Sequence, residues 1–203
     1  MIIYLCQIIH SSALFLKKDY KYARIQYAII ERRRLTVSTT KENLEFAFAG
    51  ESQANRKYLF FAEQADQEGH KRIARLFRAA ADAETVHARN HLKAMQGIKS
   101  TKENLQVAVD GENHEFTEMY PQFIKKANAE GEKKAADSFD LANKVEKIHH
   151  GLYRDAFAKL ENGAAMELKP FYVCQYCGNT VEGEAPEKCP VCGVPKKMFK
   201  LIE

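Results

Sequence analysis

Two stretches of this chain repeat one another, and the repeat restricts the fold more than any other feature. Glu51 and Glu112 lie 61 residues apart, each after a Gly, whereas Gly69 and Gly131, Glu84 and Glu146, and His87 and His149 lie 62 apart. Fixed-interval self-similarity implies two copies of one supersecondary unit. Start and stop signals make each copy a pair of long helices. Thr39 with Glu42 forms a capping box and Gly69 closes the first helix; the second runs from His70 to Gln96 and stops at Gly97. Ser100 with Glu103 opens a third helix that ends near Gly131, and a fourth runs from Glu132 to Asn162 before Gly163. Helices of about 26 to 31 residues are roughly 40 Å long. Four of them predict an all-α fold, an antiparallel four-helix bundle. The offset grows by one residue between Glu112 and Ala127, an interval that holds Pro121, which predicts a π-bulge or kink there.

Composition agrees with this. A chain with 45% hydrophobic and 29% charged residues is neither wholly disordered, nor collagen-like, nor a polytopic membrane protein. The formal charge of +4 invites a nucleic-acid reading, but its location removes that reading. Residues 1–40 carry seven bases and two acids, a net of +5, so the other 163 residues carry −1. Nucleic acid is therefore not an expected partner. The apolar stretch from Met1 to Leu16 is interrupted by Gln7, His10, Ser11 and Ser12, and its basic run follows it, the reverse of a secretory signal. It also falls short of the roughly 18 residues of a membrane span. The expected compartment is the cytoplasm. The alternatives for residues 1–40 are a basic amphipathic anchor around Lys17 to Arg34, or a leader of doubtful order or authenticity. The bundle is expected over 41–163, a linker over 164–170 and a second, small domain over 171–203.

Each copy of the helix pair supplies one Glu from its first helix and Glu-x-x-His from its second: Glu51 with Glu84 and His87, then Glu112 with Glu146 and His149. Residues three apart share a helical face, so each Glu-x-x-His pair reaches one metal ion. Glu51 lies 18 residues before Gly69 and Glu84 lies 15 after it; around Gly131 the values are 19 and 15. In antiparallel hairpins the carboxylates then meet within about one turn of the same level. A single Glu-x-x-His in a helix-rich chain usually marks a solvated face, but six residues repeating at matched spacing and height do not arise by chance. Burying so many charges costs several kcal/mol each without a counter-ion. Two divalent cations supply it, and carboxylate with imidazole suits iron or manganese. Glu115, where the first copy has Ala54, adds a fifth carboxylate and makes the two metal positions unequal. His91, His114 and His150 break the pattern and read as surface or packing residues.

The last 34 residues cannot hold a core without a staple. Cys174-x-x-Cys177 and Cys189-x-x-Cys192, each followed by Gly, supply one. Two such knuckles give tetrahedral thiolate coordination, by zinc or by a single iron; two disulfides are the remaining alternative. Cys6 has no evident partner.

Together the GES around Glu51, the Glu84/His87 pair, Glu112 with Glu115, Glu146/His149 and the terminal CPVCG resemble the rubrerythrin family, a ferritin-like di-iron four-helix bundle fused to a rubredoxin-like domain. The resemblance covers about Lys41 to Glu203. It implies that Glu51, Glu84, His87, Glu112, Glu115, Glu146 and His149 ligate two irons, with Cys174, Cys177, Cys189 and Cys192 around a third. Tyr58 and Tyr120 match tyrosines beside the di-iron site, although spacing alone makes them core residues. The implied catalytic set is Glu51, Glu84, Glu115, His87, Tyr58 and Tyr120. The implied activity is a peroxidase of oxidative-stress defence, in which hydrogen peroxide becomes water with electrons relayed through the rubredoxin-like iron. The electrons come from an external donor, a rubredoxin or an NADH-dependent reductase, since the chain has no nucleotide-binding glycine loop. Two rivals are a ferroxidase handling iron and a zinc-stapled binding module.

Two departures from the family pattern stand out. One is the 40-residue leader. The other is the short connection from Gly97 to Ser100, whose four residues reach about 14 Å against a roughly 40 Å crossing. This predicts a homodimer in which segments are swapped; a self-contained up-down-up-down monomer is the alternative.

Overall fold

The computed structural model describes residues 39–202. The expected basic leader over residues 1–40 therefore lies almost wholly outside the described residues. The chain divides after Gly97 into two compact units, and each copy of the repeat falls in its own unit.

In the first unit, α1 (Thr40–Gln67) and α2 (Lys71–Ala94) form a hairpin. The capping box is formed: Thr39 Oγ1 accepts from the Glu42 amide at 3.2 Å, while the Thr39 amide donates to Glu42 Oε2 at 2.6 Å. The chain reverses at Gly69. The core is made of small residues, Ala62, Ala65 and Ala74, with Phe77 against them. Alanines let the two backbones approach closely, and the volume near the turn is filled by the rings of Tyr58, Phe61 and Phe77, whose centroids lie 5.6 to 6.4 Å apart. Higher up, Asn55 Nδ2 donates to the Ala81 carbonyl at 2.7 Å and to Thr85 Oγ1 at 2.8 Å, which fixes the register of α1 on α2.

The second unit repeats the design. Its first rod consists of α3 (Thr101–His114), a π-helical turn (Glu115–Met119) and α4 (Tyr120–Glu130); α5 (Lys133–Glu161) returns alongside it. Ser100 and Glu103 form the second capping box. Ala127 and Ala136 are buried, and Tyr120, Phe123 and Phe139 form the same ring cluster as Tyr58, Phe61 and Phe77, each 62 residues later. Lys102 and Glu161, at 3.0 Å, tie the open ends of the rods. The expected irregularity is the π turn itself. Positions up to Glu115 keep the offset of 61, and those from Tyr120 take 62, so the extra residue is accommodated between them.

The small domain is a three-stranded antiparallel sheet, β1 (Phe171–Cys174), β2 (Thr180–Glu182) and β3 (Phe199–Ile202), in the order β2-β1-β3. The 3₁₀ turn Lys196–Met198 leads into β3. Two knuckles face each other. The Gly178 amide donates to the Cys174 carbonyl and the Gly193 amide to the Cys189 carbonyl, both at 2.8 Å. Each knuckle bends through a left-handed glycine, Gly178 at φ +84° and Gly193 at φ +79°, a conformation that other L-residues resist. No described helix is long and apolar enough to cross a membrane.

Candidate metal centres

Among the described residues three groups of metal-type ligands stand out, each with its ligand atoms within 4.8 Å of one another. The first unit contributes Glu51 from α1 and Glu84 and His87 from α2. His87 Nδ1 lies 2.8 Å from Glu84 Oε2, as the i, i+3 spacing requires; the imidazole is half exposed.

The second unit contributes Glu112 from α3 and Glu146 and His149 from α5. This group is more enclosed, with side-chain exposures of 20%, 16% and 24%. His149 Nδ1 lies 2.7 Å from Glu146 Oε2 and 3.8 Å from Glu112 Oε2. Burial, and then the neighbouring Glu146 carboxylate, push Glu112 up to about 7. Its Oε2 is buried with no hydrogen bond to satisfy it. Glu115, on the π turn, is also raised, by burial and by the charge of Glu146. The Tyr120 phenol is raised for the same reasons: burial, then the charges of Glu146, Glu115 and Glu112. Tyr120 thus packs against Phe123 and Phe139 and feels the carboxylates of Glu146, Glu115 and Glu112. Tyr58 is seen against Phe61 and Phe77, as spacing alone predicts.

His150 Nδ1 bonds to the Val109 carbonyl at 3.1 Å and its ring packs on Phe116; His114 pairs with Glu118.

In the small domain the Cys174 and Cys192 sulfurs are 3.7 Å apart and those of Cys177 and Cys189 are 3.6 Å apart. A tetrahedron with sulfurs about 2.3 Å from its centre has edges of about 3.8 Å. All four thiols are free, so the disulfide alternative does not fit. Burial raises the Cys177 thiol. Burial acts on Cys189 too, but the amides of Cys192 and Val191 outweigh it and bring that thiol down to about 7. Sequence reasoning missed a neighbour here: the fully buried Asn179 donates from Nδ2 to Cys189 Sγ at 3.7 Å. It missed a second at the histidine. Thr180 Oγ1, on β2, lies 2.9 Å from His149 Nε2 and donates to the Gly178 carbonyl at 3.1 Å. The Gly178 Cα carries no side chain where Val145 of α5 packs; a Cβ built there meets Val145 Cγ1 at 3.7 Å. No spacing rule signals either contact, because they join residues 10 and 31 apart through tertiary packing.

Residues 42–157 match the rubrerythrin family, and residues 172–200 match the rubredoxin-like domain of rubrerythrin. The chain belongs to the rubrerythrin family. It is 35% identical over 177 residues to rubrerythrin-2 of Clostridium acetobutylicum, a match spanning 80% of this chain and 96% of that protein. It is 37% identical over 182 residues to the rubrerythrin of Porphyromonas gingivalis, spanning 82% and 91%. To nigerythrin of Nitratidesulfovibrio vulgaris it is 35% identical over 187 residues, spanning 85% and 91%. The fold is accordingly a ferritin-like helical domain with a C-terminal rubredoxin-like domain, and the cofactors are those of a rubrerythrin, a di-iron site and a single rubredoxin-like iron. The residues fit these metals. The unsatisfied Glu112 oxygen and the His149 nitrogen converge as a cation requires, and the sulfur spacing suits a tetrathiolate iron.

Proposed function

We propose that this chain is a non-haem di-iron peroxidase, reducing hydrogen peroxide to water in the cytoplasm with electrons relayed through the rubredoxin-like iron from an external donor. The observation that carries this reading is the packing of the four-cysteine domain on α5, where Thr180 meets His149 and Gly178 meets Val145. An enzyme that consumes electrons needs a delivery domain beside its active site. A ferroxidase draws electrons from its substrate iron and does not.

In this reading Glu51, Glu84, His87, Glu112, Glu115, Glu146 and His149 hold the two irons, and Cys174, Cys177, Cys189 and Cys192 the third. When bound, the iron pair supplies the two electrons that cleave the peroxide O–O bond. The chain provides the rest. Glu112, raised to about 7, holds a proton in the metal-free site and would release it to solvent on metal binding. Glu115 sits on the π turn, where the helical ladder is already interrupted, and is the carboxylate suited to change ligand as the metal charge changes. Tyr120 remains a neutral phenol because burial and three carboxylates oppose its ionisation, so it serves as a hydrogen-bond donor.

The donor set also bears on assembly. Met95 to Ser100, the link between α2 and α3, reaches about 21 Å at most, well short of a roughly 36 Å helix. We infer that the working form is a segment-swapped homodimer, in which Glu51, Glu84 and His87 of one protomer share a di-iron site with the second helix pair of its partner.

Anaerobic stopped flow tests the activity. The fully reduced protein is mixed with hydrogen peroxide and, separately, with dioxygen. Faster reoxidation by peroxide is expected; faster reoxidation by dioxygen overturns the peroxidase reading in favour of ferroxidase.

A further inference from the structure

His149 is held at both ring nitrogens, and the second contact comes from the other domain. Thr180 has one hydroxyl proton, and it is donated to the Gly178 carbonyl at 3.1 Å. Toward His149 Nε2, at 2.9 Å, the hydroxyl oxygen is therefore left to accept. That arrangement has the proton on Nε2 and the lone pair on Nδ1, the tautomer in which Nδ1 can ligate a metal; a proton on Nδ1 would instead be donated to Glu146 Oε2. Nδ1 is the nitrogen that faces Glu146 Oε2 at 2.7 Å and Glu112 Oε2 at 3.8 Å. In the Nε2–H tautomer the Nδ1 lone pair turns toward these side chains, as metal ligation by Nδ1 requires. Val145 and His149 sit one turn apart on α5, so the Val145–Gly178 contact holds Thr180 in reach. His87, in the first unit, makes no described hydrogen bond at Nε2.

We propose that Thr180 is a positioning residue for the di-iron site: its hydroxyl fixes the His149 tautomer and ring orientation, and the Gly178 carbonyl–Thr180–His149 bridge makes metal binding in the bundle depend on docking of the rubredoxin-like domain. Partners of this kind orient metal-bound histidines and raise their basicity. In a Thr180→Val chain, Nε2 loses its acceptor, and the ring is free to place its proton on Nδ1, facing the carboxylates, where it competes with the metal. The inference rests on the proposed iron ligation by His149, but not on peroxide being the substrate.

The test is ferrous-iron binding by the full-length chain, measured by chelator competition under anaerobic conditions, for native, Thr180→Val and Thr180→Ser proteins. The visible bands of the ferric tetrathiolate serve as the check that the small domain is folded. Thr180→Val is expected to weaken the His149-side iron by about 10- to 100-fold, with Thr180→Ser returning it to within about threefold of native. Native-like iron affinity in Thr180→Val, with the tetrathiolate bands intact, overturns the proposal. So does equal loss in both variants, which indicates disturbed packing and not a hydroxyl role. The function reading fails separately: if the affinities follow the expected order while the native protein does not reduce peroxide, Thr180 keeps its role in a site of different chemistry.

Discussion

Glu112 shows how one carboxylate is prepared for a metal. Its folded value of about 7 lies above the ordinary 4.5, so the native chain holds this proton after the unfolded chain has released it. Below about pH 4.5 both states are protonated and the site costs nothing; as pH rises to about 7 the metal-free protein loses stability, and above that the loss is complete. Thermal unfolding of the metal-free chain across this window is expected to show a falling midpoint, flattened in Glu112→Gln. A midpoint that rises with pH, or an equal slope in the variant, contradicts the assignment. Ferrous iron replaces the proton, so its affinity rises with pH through the same window. The identity of this residue was legible in the sequence, because Glu112 repeats Glu51 and burial at mid-bundle follows from the register. Its asymmetry was legible only in part. Glu115 against Ala54 is visible in the letters, whereas the approach of Thr180, the first residue of β2, to α5 and of Asn179, just before it, to Cys189 is a matter of tertiary packing.

At the scale of the element, the π turn is the departure from symmetry that the repeat itself announced. An inserted residue rotates everything beyond it by about 100° unless the helix widens to absorb it. Glu115–Met119 absorbs it, which leaves Glu112 and Glu115 on the carboxylate face while Tyr120, Phe123 and Ala127 face α5. Deleting Thr117 removes the extra residue and restores the offset of 61. The helix content is expected to survive, because both flanks are regular and cap independently. The site is not, since either the two carboxylates or the aromatic cluster must turn away. Iron analysis is expected to fall from three per chain to about one, with the red tetrathiolate spectrum retained. Retention of all three irons means that the π turn has no part in aiming the ligands. The presence of this element could be read from two offsets, 61 and 62; its exact bounds could not, because helix geometry alone permits the widening anywhere between Glu112 and Ala127.

For the whole molecule, the decisive question is which protomer completes which site, and connector length makes it answerable. Two inactive chains distinguish the possibilities: one carries Glu84→Ala in the first helix pair, the other Glu146→Ala in the second. In self-contained bundles each chain keeps its own lesion, and mixing restores nothing. In the swapped dimer the lesions segregate. One site of a mixed dimer receives both damaged helix pairs, while the other receives the intact first pair of one chain and the intact second pair of the other. Co-expression with two different affinity tags, followed by sequential purification of the mixed dimer, is expected to give one competent site per dimer. Di-iron-site iron and peroxide-driven reoxidation then reach about half the native level, while each variant alone keeps its tetrathiolate iron and shows neither. Restoration of iron without peroxide reactivity leaves the assembly intact and removes the peroxidase reading. Absence of both in a verified mixed dimer removes the swap, and the six residues from Met95 to Ser100 must then join neighbouring helices of one up-down-up-down bundle.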